Sequence, residues 1–128
     1  MPVEPAASTS LRGRILLMDD EELILRVLTL MLSGNHEIVT TAAAKEALAL
    51  CTAGERFDLI LCDLMMPEMT GMDLHAHIER MLPGVTGRLV FLTGGAFTHR
   101  ARAFLDQVPN ARLDKPFEEN ELRLFVRD

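Results

Sequence analysis

The sequence contains no tryptophan and no tyrosine, and its basic residues are outnumbered by acidic ones. The 13 lysines and arginines stand against 19 aspartates and glutamates, which gives a formal net charge of -6. Proteins that bind nucleic acid need basic side chains for the phosphates and often use aromatic rings to stack on bases. The composition therefore argues against a nucleic-acid-binding surface.

Long apolar stretches are also missing. No run approaches the ~20 apolar residues needed to span a bilayer, and no charged segment followed by an apolar stretch opens the chain. The sequence therefore favours neither secretion nor insertion into a membrane. We expect a domain that works in the cytoplasm without contact with a membrane.

Cysteine is scarce, with Cys51 and Cys62 as the only two. Their spacing matches neither a CxxC motif nor a metal-ligand pattern. Cytosolic proteins keep their thiols reduced. We therefore expect two buried free thiols rather than a disulfide.

What is present suffices for one folded domain. The chain has 128 residues, of which 48% are hydrophobic and 25% charged, and a chain of this length buries a core without disulfides or metal staples. Residues 1–13 hold two prolines and the triplet Ser-Thr-Ser without an apolar period, which predicts a flexible tail or linker. The folded domain is predicted over residues 14–128.

Apolar runs alternate with segments of helical period from Arg14 onwards, which is typical of βα repeats around a parallel sheet. Strands are predicted at residues 15–18, 36–41, 59–62, 89–92 and 111–114. Each strand is followed by the apolar stripe of a helix, and the third stripe consists of Leu74, Ile78, Met81 and Leu82.

The character of the strands predicts their order. The first, third and fourth are uninterrupted apolar runs, as expected for strands covered on both faces, whereas the second and fifth are shorter or more polar. With the latter two at the edges and right-handed crossovers, the order is 2-1-3-4-5. This is the flavodoxin-like, doubly wound α/β fold with five parallel strands, whose ligand site lies at the carboxyl ends of the strands.

Polar residues follow four of these strands, where the carboxyl ends meet. They are Asp19 and Asp20 after the first strand, Asp63 after the third, Thr93 after the fourth and Lys115 after the fifth. Each residue alone is equally consistent with a local role, such as a helix cap, a turn or a strand end. Their convergence on one edge predicts a shared site.

The charges of that site point to phosphoryl chemistry. Two carboxylates ~4 Å apart repel by ~4 kcal/mol at an effective dielectric near 20, and three carboxylates are predicted to meet here. Lys115 offsets part of this repulsion, and Mg²⁺ or Mn²⁺ would offset more, since both ions prefer hard oxygen ligands. Asp63 is the candidate nucleophile, because a carboxylate that attacks phosphorus forms an acyl phosphate. Lys115 and Thr93 are the candidates to stabilise the phosphoryl oxygens.

The motifs at these positions resemble the receiver domain of bacterial two-component response regulators, over roughly residues 14–126. They are ILLMDDE from Ile15, DLMMPEMTGMDL from Asp63, LTGG from Leu92 and KPF from Lys115. Each motif alone is a weak signal, but their order and spacing together are specific.

The resemblance implies a set of roles. Asp63 would accept a phosphoryl group from the phosphohistidine of a histidine kinase or of a phosphotransfer domain. Asp20, Asp63 and the backbone carbonyl of Met65 would bind Mg²⁺, with Asp19 helping through water. Thr93 and Lys115 would hold the phosphoryl oxygens. The resemblance further implies a cis peptide bond at Lys115–Pro116 and a tight start of the third helix at Gly71.

Two departures from the common family pattern concern output. Receivers that switch an output surface usually carry Tyr or Phe three residues before the lysine, where this sequence has Arg112, which we interpret as a solvated edge-strand residue. The sequence also stops at Asp128, soon after the last predicted helix. We expect either a receiver of a hybrid sensor histidine kinase or a stand-alone single-domain regulator, with output through a downstream protein partner.

Other functions fit the sequence less well. Phosphatases that resemble haloacid dehalogenases carry a second acid two residues after the nucleophile, where this sequence has Met65. We therefore expect self-phosphorylation and autodephosphorylation without turnover of an external substrate. Neither GxGxxG nor GxxxxGK[ST] occurs, which argues against a dinucleotide or nucleotide site. The remaining alternative is a receiver-like interaction module that works without phosphorylation.

Overall fold

Five parallel strands form one sheet in the computed structural model, which describes residues 13–34, 36–94 and 98–126. The strands are β1 (Arg14–Met18), β2 (Glu37–Thr41), β3 (Leu59–Asp63), β4 (Leu89–Thr93) and β5 (Arg112–Asp114). Their order is β2-β1-β3-β4-β5, so the predicted order and the flavodoxin-like fold are confirmed. The tail or linker predicted at residues 1–13 lies outside the described residues, except for Gly13.

Helices follow all five strands within the described ranges. They are α1 (Glu22–Leu32), α2 (Ala44–Thr52), α3 (Gly71–Met81), α4 (His99–Gln107) and α5 (Glu119–Val126), and a short 3₁₀ turn (Thr86–Arg88) precedes β4. The predicted strands and helices are all present, and the strand boundaries differ from the predicted ones by at most one residue.

The sheet separates two hydrophobic layers, because successive strand residues point to opposite faces. Leu16 of β1 belongs to the layer beneath α2, α3 and α4, whereas Leu17 belongs to the layer beneath α1 and α5. Both leucines are fully buried. The strands β1, β3 and β4 are covered on both faces, as their apolar sequences predict, and β2 and β5 are the edges.

Two smaller predictions have opposite outcomes. Cys51 and Cys62 are buried free thiols, as expected, and burial raises the pKa of both.

The prediction that Met81 packs inward is wrong, since its side chain is 52% exposed. The helix ends at Met81, and the next residue, Leu82, leaves helical geometry and packs against the core instead.

Candidate functional site

Three carboxylates from two strand ends meet at one edge of the sheet. Asp19 and Asp20 follow β1, and Asp63 is the last residue of β3, which pairs with β1. One carboxylate oxygen of each residue lies within 4.8 Å of the others. Asp19 is fully buried and Asp63 nearly so, whereas Asp20 is exposed. The predicted convergence of the three acids is therefore observed.

Lys115 brings a positive charge into contact with these acids. Its Nζ lies 2.8 Å from Asp19 Oδ2 and 3.6 Å from Asp63 Oδ1. It also lies 3.6 Å from an Oε1 of Glu21, which the sequence reasoning did not assign to the site. Glu21 is tied to the cluster a second time, because its backbone N–H donates to Asp19 Oδ1 at 2.9 Å.

The pKa of Asp63 reflects its burial and the charged groups around it. Its pKa is raised to about 7, first by burial and then by the charge of Asp19, while Lys115 and a hydrogen bond from the backbone N–H of Met65 oppose the rise. The pKa of Lys115 is also raised, because the hydrogen bond to Asp19 and the surrounding carboxylates outweigh its partial burial. Lys115 therefore stays cationic, and it alone does not neutralise the acids around Asp63.

The oxygen cluster fits a small divalent cation. In octahedral coordination at ~2.1 Å, ligand oxygens around one Mg²⁺ lie ~3 Å apart when adjacent and ~4 Å apart when opposite. The oxygens of Asp19, Asp20 and Asp63 lie within 4.8 Å of one another, so the cluster is close to the size of such a coordination sphere, and side-chain rotations would draw the oxygens in to that spacing. The exposed side of Asp20 leaves access for water or for a phosphoryl oxygen.

Thr93 ends β4 on the same edge, but its hydroxyl does not donate to Asp19, Asp20 or Asp63. It is 1% exposed and donates a hydrogen bond to Oδ1 of Asp114 on β5. The two residues are partners in the sheet register. The backbone N–H of Lys115 binds the Thr93 carbonyl at 2.7 Å, which joins the ends of the two strands. The sequence reasoning missed Asp114.

Met65 contributes backbone to the site. Its N–H donates to the Asp63 carboxylate, and its side chain is 43% exposed. The role of the Met65 carbonyl as a metal ligand stays a prediction. The peptide bond Lys115–Pro116 is cis, as the resemblance implies.

The sequence matches the family model described as the response regulator receiver domain over residues 15–127. The chain belongs to this family. It is 33% identical over 117 residues to the transcriptional regulatory protein GlrR of Escherichia coli (strain K12). This alignment covers 91% of this chain and 26% of that protein. It is 34% identical over 122 residues to the sensor histidine kinase AruS of Pseudomonas aeruginosa. This second alignment covers 93% of this chain and 12% of that protein.

Solved receiver domains share the fold. A signal receiver domain of an HD domain-containing protein from Pseudomonas fluorescens Pf-5 superposes with a TM-score of 0.76 at 31% identity, covering 91% of this chain and 92% of that one. The chain is thus a receiver domain of a two-component system. It spans about a quarter of the length of GlrR and a smaller part of AruS.

The receiver holds the end of β3 against the start of α3 through a close backbone contact. A Cβ atom at Gly71 would lie 3.0 Å from the Asp63 carbonyl oxygen and 3.0 Å from Leu64 Cα. The Gly71 N–H donates to the Leu64 carbonyl at 2.8 Å. The φ angle of Gly71 is not positive, so glycine is needed here for the close approach rather than for an unusual turn.

A capping box fixes the start of α3. The Thr70 hydroxyl accepts from the Asp73 N–H, and the Asp73 carboxylate accepts from the Thr70 N–H, each at 3.1 Å. Asp73 also pairs with Arg100 of α4 at 2.9 Å. The loop between β3 and α3 is therefore held between the sheet and a capped helix.

Arg112 lies at the start of the edge strand β5 and is exposed. This position agrees with its interpretation as an edge-strand residue. Among the described residues, no helix has the length and apolar character required to cross a membrane.

Proposed function

We propose that Asp63 is the phosphoacceptor and that it takes its phosphoryl group from the phosphohistidine of a histidine kinase or a phosphotransfer domain. The observation that carries this assignment is the position of Lys115 Nζ, within 3.6 Å of Asp63 Oδ1 and 2.8 Å of Asp19 Oδ2. A nearly buried carboxylate beside a fixed ammonium group, with two further acids that can hold a divalent cation, is suited to a reaction that transfers negative charge into the site.

The transfer is a substitution at phosphorus. A carboxylate oxygen of Asp63 forms a bond to phosphorus as the bond from phosphorus to the histidine nitrogen breaks, and the electron pair of that bond stays on the imidazole. The product is an acyl phosphate on Asp63. Asp63 must be ionised to attack, and Lys115 and the Met65 N–H both favour its ionised form.

Asp19, Asp20, Asp63 and the Met65 carbonyl are the proposed ligands of Mg²⁺, with Mn²⁺ as a chemically similar substitute. The bound ion would neutralise the carboxylates and draw negative charge from the phosphoryl oxygens. Lys115 supplies a second positive charge to those oxygens, and the Thr93 hydroxyl supplies a hydrogen bond. Positioning and charge stabilisation account for most of the catalysis in phosphoryl transfer.

Loss of the phosphoryl group is proposed to be slow and internal. Water attacks the acyl phosphate, the bond between phosphorus and the Asp63 oxygen breaks, and inorganic phosphate leaves. In place of the second acid of aspartyl phosphatases stands Met65, whose side chain carries no proton to donate. We therefore expect autodephosphorylation without turnover of external phosphate esters.

The proposed setting is the cytoplasm, with residues 14–128 as the receiver and residues 1–13 as a tail or linker. Two contexts are retained, a receiver within a hybrid sensor histidine kinase and a stand-alone regulator. The similarity to AruS supports the first, because that relative is a sensor histidine kinase far longer than this chain. In both contexts the output passes through a protein partner.

Intact mass spectrometry tests the assignment. Incubation with acetyl phosphate and Mg²⁺ should add one phosphoryl group to the wild type and none to Asp63→Asn. The variant Asp106→Asn is the control, because it makes the same change at an exposed position of α4. Equal uptake by Asp63→Asn would move the acceptor elsewhere. No uptake by the wild type, even from a phosphohistidine donor, would favour the phosphorylation-independent interaction module.

A further inference from the structure

The Thr93 hydroxyl is committed to a partner outside the acidic cluster. Thr93 is buried, and its hydroxyl donates to the Asp114 carboxylate, which is its neighbour in the register of β4 and β5. Asp114 itself is exposed. The bond therefore links a buried donor at the site to an acceptor at the surface of the edge strand.

A hydroxyl group has one proton to donate. Thr93 therefore cannot donate to Asp114 and to a phosphoryl oxygen on Asp63 at the same time. Leaving a buried hydroxyl without an acceptor is destabilising. The Thr93 hydroxyl must therefore turn from one acceptor to the other while it keeps its proton. The Thr93 side chain thus has two alternative states, and the observed one is bonded to Asp114.

We propose that Asp114 is a positioning residue that holds the Thr93 hydroxyl away from the phosphoryl site and releases it when Asp63 carries a phosphoryl group. This proposal rests on the proposed phosphorylation of Asp63. Phosphorylation then exchanges one anionic acceptor for another, since both the carboxylate and the phosphoryl oxygens form charge-assisted hydrogen bonds.

The exposure of Asp114 makes the exchange reversible. The carboxylate that loses the Thr93 hydroxyl lies at the surface, where water replaces the lost hydrogen bond. A buried carboxylate would be left unsatisfied and would oppose the exchange. The free energies of the two Thr93 states therefore differ only as far as the two hydrogen bonds differ in strength. A single phosphoryl group on Asp63 is enough to shift the equilibrium between them.

The exchange also carries a signal to the edge strand. Arg112 and Asp114 are two positions apart on β5 and both are exposed, whereas Leu113 between them is buried. They therefore lie on the same face of the strand. Release of Thr93 leaves the Asp114 carboxylate on this face without its buried donor, so the hydrogen bonding beside Arg112 changes with phosphorylation.

Rates of phosphorylation by acetyl phosphate test the proposal. Asp114→Ala frees the hydroxyl and should raise the rate about tenfold, which corresponds to ~1.4 kcal/mol. Asp114→Asn removes the same charge but keeps a weaker acceptor, so its rate should lie between those of the wild type and Asp114→Ala. Glu118→Gln removes one negative charge from an exposed residue close to Lys115 in sequence, and its rate should equal that of the wild type.

A double-mutant cycle separates positioning from charge. In a Thr93→Ala background, Asp114→Ala should have no effect on the rate, because no hydroxyl remains to be released. A second readout needs no rate measurement. The γ2-methyl NMR resonance of Thr93 in unphosphorylated Asp114→Ala should move toward its position in the phosphorylated wild type.

The outcomes distinguish the two proposals. If the wild type is phosphorylated on Asp63 but Asp114→Ala reacts at the wild-type rate, the positioning role is refuted and the phosphoacceptor role stands. An equal acceleration with and without the Thr93 hydroxyl also refutes it, because charge alone would then explain the rate. If the wild type takes up no phosphoryl group, both proposals fail. Should Asp114→Ala not fold, the intermediate rate expected of Asp114→Asn still decides the matter.

Discussion

Replacement of Gly71 by alanine should disturb the end of the acceptor strand, because there is no space for a methyl group. The added Cβ would lie 3.0 Å from the Asp63 carbonyl oxygen, 3.0 Å from Leu64 Cα and 3.1 Å from Cys62 Sγ. Two of these atoms belong to the backbone. That backbone is itself fixed by the hydrogen bond from Leu64 N to Leu92 O, so it cannot turn aside as the end of a flexible side chain would.

The expected cost follows from these contacts. Inserting a methyl group into a well-packed region costs ~1–3 kcal/mol, and the better helix propensity of alanine offsets up to ~1 kcal/mol of it. For a domain of this size, each 1 kcal/mol lowers Tm by roughly 3–5 °C. We therefore expect Tm to fall by several degrees. The displaced backbone carries Asp63, so the phosphorylation rate should fall as well.

Thermal unfolding followed by circular dichroism and the rate of phosphorylation by acetyl phosphate measure the two effects. Gly87→Ala is the matched control, because no atom lies within 4 Å of a Cβ placed there. Its Tm should be unchanged or slightly raised, since alanine reduces the entropy of the unfolded chain. If Gly71→Ala unfolds at the same temperature as Gly87→Ala and is phosphorylated at the wild-type rate, the close contact at the acceptor strand does not have the role assigned to it.

Two further predictions concern the metal and pH. Mg²⁺ at ten times its Kd should stabilise the fold by ~1.4 kcal/mol, seen as a rise in Tm that Asp20→Asn largely abolishes; a Tm that is constant across millimolar Mg²⁺ would contradict the metal site. The pKa of Asp73 is lowered first by its hydrogen bond with Arg100 and then by the Thr70 N–H. Its ionised form therefore stabilises the fold above its unfolded pKa near 3.8, and this contribution is lost as the pH falls through the lower folded value. In urea unfolding, the stability difference between wild type and Asp73→Asn should shrink between pH 6 and pH 3, and a pH-independent difference would refute the assignment.

The fold could be predicted from sequence because its determinants are local and repeated. Strands β1, β3 and β4 are uninterrupted apolar runs, and only a strand with helices on both faces can bury such a run. That observation alone places β2 and β5 at the edges. The error at Met81 arose where periodicity is least reliable, in the last turn of a helix, where the chain leaves helical geometry and the next residue occupies the inward position.

The grouping of the acids could be predicted because parallel strands present their carboxyl ends on one edge. Asp19, Asp63 and Lys115 each directly follow or end a strand, so the topology brings them together. Glu21 was missed for a physical reason. It lies three residues beyond the end of β1 and directly before α1, where an acid is also expected to face solvent and interact with the helix dipole. Its contact with Lys115 depends on a side-chain direction that sequence patterns do not specify.

The partner of Thr93 could not be predicted because it depends on strand register. Thr93 and Asp114 are 21 residues apart, and their pairing is fixed only when β5 docks on β4. Asp114 precedes Lys115, whose side chain reaches Asp19 and Asp63. Two adjacent residues at the end of β5 thus have different roles. Lys115 supplies the cation for the phosphoryl site, and Asp114 competes with the phosphoryl oxygens for the Thr93 hydroxyl. Because the two residues are adjacent, the proposed control of Thr93 lies at the end of β5, on the same strand end as the cation.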